Sequence, residues 1–198
     1  MKNPAPDAKP HRILGRPAIR QLVLIGLFLA LFMVASNVLP AVQLVPGVPV
    51  TLQVLVVLLA GALLGLPGGL AFLGTLFVMT LVGIPMMSGF RSGVAVFVGP
   101  TAGYIGGWIP LILAAGVFSR LKIRRDWPSV AAFLGLALAG ILADYACGAA
   151  WMVHGTGASF LGAFGSVLLA FLPFDLAKAV LAWFVVRRVR AAVSVMML

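Results

Sequence analysis

Long apolar stretches separated by short polar segments are the dominant pattern of the chain. A helix needs about 20 mostly apolar residues to cross a bilayer, and six stretches approach or exceed that length. They are residues 19–38, 50–66, 68–85, 93–119, 129–153 and 159–186. The pattern predicts an all-α membrane protein, a compact bundle of six transmembrane helices.

The segments outside these stretches are short. We interpret residues 1–18 as a basic cytoplasmic tail, residues 19–190 as one six-helix transmembrane domain and residues 191–198 as a C-terminal tail. The first stretch is longer than the apolar core of a signal peptide, so we expect it to persist as the first helix.

Composition supports the membrane assignment and excludes several classes of protein. Apolar residues make up 63% of the 198 residues and charged residues only 9%, whereas an ordinary soluble domain is about 25% charged. A soluble enzyme, a DNA-binding module and a disordered chain are therefore poor interpretations. The single cysteine excludes an intramolecular disulfide and a Cys-rich metal site.

The distribution of positive charge predicts the orientation. All but two of the 14 Lys and Arg residues precede or open the first stretch, join the fourth to the fifth, or follow the sixth. Six crossings place these clusters on one side, and the positive-inside rule makes that side, with both termini, cytoplasmic. The net charge of +10 thus indicates topology and membrane lipid rather than a nucleic-acid partner. The two remaining cations are Arg91 and Lys178.

Asp175 and Lys178 are candidate site residues inside the sixth stretch. Their spacing of three places them on one helix face, and ionisable groups at this depth face a cavity or one another. One interpretation is an ion pair that holds helices together. The other, which we favour, is a polar anchor for a bound solute, because Pro173 removes a backbone donor just upstream.

Asp144 and Arg91 are further candidates, each with two interpretations. Asp144 either pairs with Lys178 or is protonated, since burial disfavours a charged carboxyl, and a structural role is the favoured interpretation. Arg91 lies in a predicted outer loop among glycines and serines, including Ser88. A guanidinium there suits a ligand carboxylate, although contact with lipid headgroups is the alternative.

Two helices carry patterns of small residues. Gly26 and Ala30 form a small-xxx-small pair in the first stretch, which serves either packing within the bundle or docking of another membrane protein. The fourth stretch is dense in glycine and is expected to be kinked or closely packed beside a cavity, with Thr101 and Tyr104 on one face.

Enzyme chemistry is not supported. Cys147 and His154 are two helical turns apart, about 10 Å, which is too far for a nucleophile and its base. The Gly-x-Gly-Asp pattern of intramembrane aspartyl proteases is absent around Asp175.

Four motifs occur together in an order typical of one family. They are Val48-Pro49-Val50-Thr51-Leu52-Gln53 with residues 58–65, Gly83-Ile84-Pro85 with residues 89–93, Gly99-Pro100-Thr101-Ala102-Gly103-Tyr104, and Pro173-Phe174-Asp175-Leu176-Ala177-Lys178-Ala179. From about residue 20 to 188 the chain resembles the biotin transporter BioY family. Its members are the substrate-binding S components of energy-coupling factor (ECF) transporters.

The resemblance implies a transport function without a cofactor. It implies a vitamin site on the extracytoplasmic side, closed by the first loop (between helices 1 and 2) and the third loop (between helices 3 and 4). It also places the protein in the bacterial cytoplasmic (inner) membrane. Biotin would be captured there and passed inward with a transmembrane coupling protein and two cytoplasmic ATPase subunits. Whether this chain has such partners, or forms a homo-oligomer, is left open. Alternatives are an S component for thiamine or riboflavin, and a structural membrane protein with no ligand.

The resemblance also implies roles for individual residues. Asp175 and Lys178 inherit contacts to the biotin head, and their chemistry suits the N–H and C=O groups of its ureido ring. Arg91 would reach the valerate carboxylate. The other substrate-binding candidates come from the motifs and are Tyr104, Ser88, Thr101 and Gln53. Met86 and Met87 depart from the family pattern in the third loop.

Overall fold

The computed structural model describes residues 16–37, 43–45, 48–121, 127–157 and 159–195. Its elements are α1 (Arg16–Asn37), β1 (Gln43–Val45), β2 (Val48–Pro49), α2 (Gln53–Leu81), α3 (Ala95–Val98), α4 (Ala102–Phe118), α5 (Trp127–Thr156) and α6 (Phe160–Val195). Most of the predicted N-terminal tail, its lysines, the basic residues 122–125 and part of the first outer loop lie outside the described residues.

α2 is a helical hairpin because the chain reverses at Gly65. This residue has φ +71° and ψ 177°, a conformation that is essentially restricted to glycine. A Cβ on Gly69 would lie 3.2 Å from the Cα of Gly61, whereas residues eight apart in a straight helix are separated by about 12 Å. The second and third predicted stretches are therefore two arms, residues 53–64 and 66–81, that pack against each other.

The bundle contains the six expected helical passes, with three local differences. Four helices are long and apolar enough to span a membrane, one of them the hairpin α2, and Ala102–Phe118 is a shorter apolar helix. The fourth predicted stretch is interrupted between α3 and α4, and α6 continues past the predicted end at residue 186. A two-stranded antiparallel hairpin, β1 with β2, precedes α2 and was not predicted.

One end of the bundle is formed around the reversal in α2. A Cβ on Gly65 would lie 3.3 Å from the hydroxyl of Ser119, just after α4. Near the end of α6, the Arg190 guanidinium donates to the carbonyl of Ala62 at 2.5 Å. We call this the turn end.

The opposite end carries the loop between α2 and α3, residues 82–94. The amide of Phe90 donates to the Asn37 side chain at the end of α1, at 3.0 Å. The amide of Gly93 donates to the carbonyl of Thr80 at 2.7 Å. These bonds fix the loop against α1 and α2, and we call this the loop end.

Candidate solute-binding site

A cavity opens at the loop end between β2, the start of α2, the loop 82–94 and helices α4, α5 and α6. It encloses about 680 Å³ of empty space, counted with its opening to solvent. Apolar and aromatic side chains and a smaller set of polar ones line it, as in small-molecule sites generally. The cavity is therefore the candidate site.

The structure brings all seven predicted substrate-binding residues to this cavity. Although they come from four separate segments of the chain, every one contributes to its lining. They are Gln53, Ser88, Arg91, Thr101, Tyr104, Asp175 and Lys178. Their contact with a ligand stays a prediction.

The charged pair of α6 lies in the buried part of the cavity. Lys178 Nζ donates to Asp175 Oδ1 at 2.7 Å, and the two residues are 8% and 3% exposed. Tyr145 of α5 donates its hydroxyl to Asp175 Oδ2 at 2.5 Å. Sequence reasoning missed Tyr145. The sequence did offer a signal for Tyr145, which is next to Asp144 and is one of only two tyrosines in the chain. Both tyrosines line the cavity.

Gln53 is held at the start of α2 by three neighbours. Its Nε2 donates to Ser36 Oγ at 3.1 Å and lies 3.9 Å from the sulfur of Met87. Thr51 donates its hydroxyl to Gln53 Oε1 at 2.9 Å. The side-chain amide is thus positioned before any ligand arrives. Ser36 was not anticipated, because its role depends on how α1 and α2 meet.

Arg91 is exposed at the rim of the cavity, and the nearby Ser88 is buried. Arg91 Nε donates to the Ser88 carbonyl at 3.1 Å, and the Met87 amide donates to the Arg91 carbonyl at 3.1 Å. Gly89 and Phe90 both have positive φ, 71° and 56°. This tight turn leaves Arg91 exposed at the mouth, while Met87 is buried.

Close contact between α4 and α5 forms another wall, as the density of glycine predicted. A Cβ on Gly148 would overlap the ring of Tyr104, and one on Gly107 would overlap the Asp144 carboxyl. Asp144 does not pair with Lys178 as one interpretation expected. Among the described residues its Oδ1 has no hydrogen-bond partner.

The remaining candidates lie elsewhere. Gly26 and Ala30 are exposed on α1, and a Cβ on Gly26 would meet nothing within 4 Å, so they do not serve close packing within the described bundle. Cys147 is exposed. In the described part of the chain, no group of three or more His, Cys, Asp or Glu residues could hold a metal ion.

Comparisons with known proteins agree with this architecture. The profile of the BioY family matches residues 5–195. The Biotin transporter BioY of Rhodobacter capsulatus is 38% identical over 178 residues, covering 86% of this chain and 93% of the relative. The protein of the same name from Thermotoga maritima is 33% identical over 175 residues, covering 87% and 96%.

A solved structure extends the similarity to the fold. The crystal structure of the S component for biotin from an ECF-type ABC transporter superposes with a TM-score of 0.77. It shares 27% sequence identity, over 90% of this chain and 94% of that one. On the family match and these relatives, the chain belongs to the BioY family.

Proposed function

We propose that this protein is the biotin-binding S component of an ECF-type vitamin transporter, and that biotin binds in the cavity at the loop end. The observation that carries the proposal is the buried Asp175–Lys178 pair lining that cavity. The names of the relatives support biotin as the vitamin. Because the family is one of transport proteins, no catalytic residue or cofactor is assigned, and biotin is the transported substrate.

The hydrogen-bonding capacity of the pair suits the ureido ring of biotin. That ring offers two N–H donors and one carbonyl acceptor. Asp175 already accepts from Lys178 and Tyr145, yet each carboxylate oxygen has a second lone pair. An ammonium has three N–H groups, and one of those of Lys178 binds Asp175. The pair can therefore serve the ring without separating.

The rest of the cavity suits the other parts of biotin. Trp108, Phe171 and Val167 are apolar lining residues that would contact the thiophane ring. Arg91 lies at the exposed rim and would bind the valerate carboxylate. The hydrogen-bonding side chains of Gln53, Ser88, Thr101 and Tyr104 complete the proposed site.

The same proposal includes orientation and partners. Arg20 in α1, Arg120 just after α4 and Arg187 in α6 lie toward the turn end. The positive-inside rule therefore favours a cytoplasmic turn end with both termini. The cavity would then face outward in a bacterial inner membrane.

Inward transfer would need a transmembrane coupling protein and two cytoplasmic ATPase subunits. The exposed face of α1 with Gly26 and Ala30 is available for docking such a protein or a second copy.

A vitamin panel on the purified full chain in detergent tests the substrate. We expect biotin at micromolar concentration to raise the thermal unfolding temperature and to be retained on the protein, whereas thiamine and riboflavin do neither. Stabilisation by another vitamin instead of biotin would show that the substrate is wrong. Binding of none of them would favour a structural membrane protein.

A further inference from the structure

Asp144 is a buried carboxyl that the proposed contacts leave unused. The residue is 2% exposed, and its Oδ1 has no hydrogen-bond partner among the described residues. It lines the same cavity as Asp175 and Lys178. Because the large majority of buried polar side-chain atoms are hydrogen-bonded, an unpartnered atom in a ligand cavity needs an explanation.

The surroundings of Asp144 disfavour its charged form. Lys178 is the one buried cation in the described part of the chain, and its ammonium is bonded to Asp175. The other titratable groups lining the cavity are Tyr104, Tyr145 and the Arg91 guanidinium at its exposed mouth. A second buried carboxylate would therefore be an uncompensated charge, which is strongly unfavourable.

The close approach of α4 and α5 holds the carboxyl in place. Gly107 has no side chain where Asp144 lies, and a Cβ there would overlap the carboxyl. Its neighbour Gly106 faces open space. The fold thus accommodates this carboxyl where it meets the cavity, although no protein donor in the described chain satisfies Oδ1.

We propose that Asp144 is a neutral carboxyl that hydrogen-bonds the ureido ring of biotin, as a third polar contact beside Asp175 and Lys178. A protonated carboxyl offers one O–H donor and one acceptor. One edge of a cyclic urea presents the complementary N–H and C=O. The two aspartates then differ in protonation state. Asp175 is ionised and paired with Lys178, whereas Asp144 is neutral. This inference rests on the proposed biotin function.

Three variants of the full chain test the assignment by biotin titration in detergent. An amide also carries a donor and an acceptor, so Asp144→Asn is expected to bind biotin within about threefold of the wild type. Asp144→Leu keeps the branching of the side chain without its polar atoms, and it is expected to lose about tenfold or more in affinity. Asp175→Asn is the contrast, because replacing an ionised carboxylate by an amide should cost binding sharply.

Either of two results overturns the inference. Wild-type affinity in Asp144→Leu would show that the side chain does not contact the ligand. Equal losses in Asp144→Asn and Asp144→Leu would show that the carboxyl is not neutral. If the wild type binds no biotin, the proposed function itself fails. That result differs from the two above, in which the wild type still binds biotin.

Infrared difference spectra of the wild type provide a test that does not depend on the folding of Asp144→Leu. Addition of biotin should shift the C=O stretch of a protonated carboxyl, and the band should be missing in Asp144→Asn. A wild-type spectrum without such a band would also overturn the inference.

Discussion

At Asp175, one carboxylate accepts hydrogen bonds from the ammonium of Lys178 and the hydroxyl of Tyr145. All three groups are buried, with at most 8% of each residue exposed. Removing one charge of the pair leaves the other buried and uncompensated, which costs far more than removing both. Effects on binding and on stability can therefore be separated by comparing single and double substitutions.

Asp175→Asn and Lys178→Met are each expected to weaken biotin binding by about tenfold to a hundredfold, the range for hydrogen bonds to charged groups. Each should also lower the thermal unfolding temperature, because a buried charge loses its partner. Biotin titration with thermal unfolding in detergent measures both effects.

The matched control is Asp175→Asn combined with Lys178→Met. This double variant should recover much of the stability that the single variants lose, yet still bind biotin poorly. Unchanged affinity in both single variants would contradict the assignment of the pair to the ureido ring.

Arg91 should distinguish biotin from its neutral derivatives. Arg91→Ala is expected to weaken biotin binding more than binding of biotin amide, since only biotin carries the carboxylate that the guanidinium would bind. Arg91→Lys, which keeps the charge, should lose less. Equal losses for biotin and its amide in Arg91→Ala would argue against a carboxylate contact.

The residues found from the sequence share a detectable chemistry. With few charged residues, Asp175, Lys178 and Arg91 were conspicuous in apolar or glycine-rich surroundings, and the remaining candidates lay in recognisable motifs. Tyr145 and Ser36 were missed because tyrosine and serine are ordinary residues of helix interfaces. Their hydrogen bonds to Asp175 and Gln53 arise only when distant helices meet.

The α2 hairpin depends on the backbone of one residue. Gly65 adopts positive φ with extended ψ, which joins two helical arms without an intervening loop. A side chain there would be strained whatever space surrounds it. Elsewhere in α2, Gly74 faces open space in ordinary helical conformation. Gly74 is therefore a suitable control position for a substitution at Gly65.

Gly65→Ala is expected to reduce stability by about 1–3 kcal/mol, the cost of a sparsely populated backbone conformation. Gly74→Ala should leave stability unchanged or raise it, because alanine favours a helix over glycine by up to about 1 kcal/mol. Thermal unfolding in detergent compares the two. A larger loss in Gly74→Ala than in Gly65→Ala would be inconsistent with the hairpin.

Among the elements, the sequence predicted helices better than it predicted their interruptions. Apolar runs identified all six passes because each is long and bounded by polar or glycine-rich residues. The glycine density of the fourth stretch correctly indicated a kink or close packing. The β1–β2 hairpin was missed because a pair of strands this short has no distinguishable alternation of polar and apolar residues.

The two ends of the molecule differ in charge and in chemistry. The turn end carries the basic residues of α1 and α6 and Arg120 after α4, whereas the loop end carries the cavity. If the positive-inside rule holds for this bundle, a solute reaches the cavity from outside the cell.

Labelling of single cysteines in intact cells tests that orientation. With Cys147→Ser as the background, His154→Cys at the loop end should react with a membrane-impermeant maleimide. Leu121→Cys at the turn end should react only after the cells are lysed. Both side chains are exposed in the wild type. The reverse pattern would mean that the cavity opens to the cytoplasm.

The length of the second arm of α2 has a consequence for the surrounding lipid. Residues 66–81 span about 24 Å at 1.5 Å per residue and expose Leu70, Val78 and Leu81. The hydrocarbon core of a bilayer is about 30 Å thick, whereas α1, with 22 residues, reaches about 33 Å. Hydrophobic mismatch is therefore expected along this arm, where a helix shorter than the hydrocarbon core favours local thinning of the bilayer. The thickness of the surrounding bilayer is therefore expected to affect the height of the cavity mouth relative to the lipid headgroups.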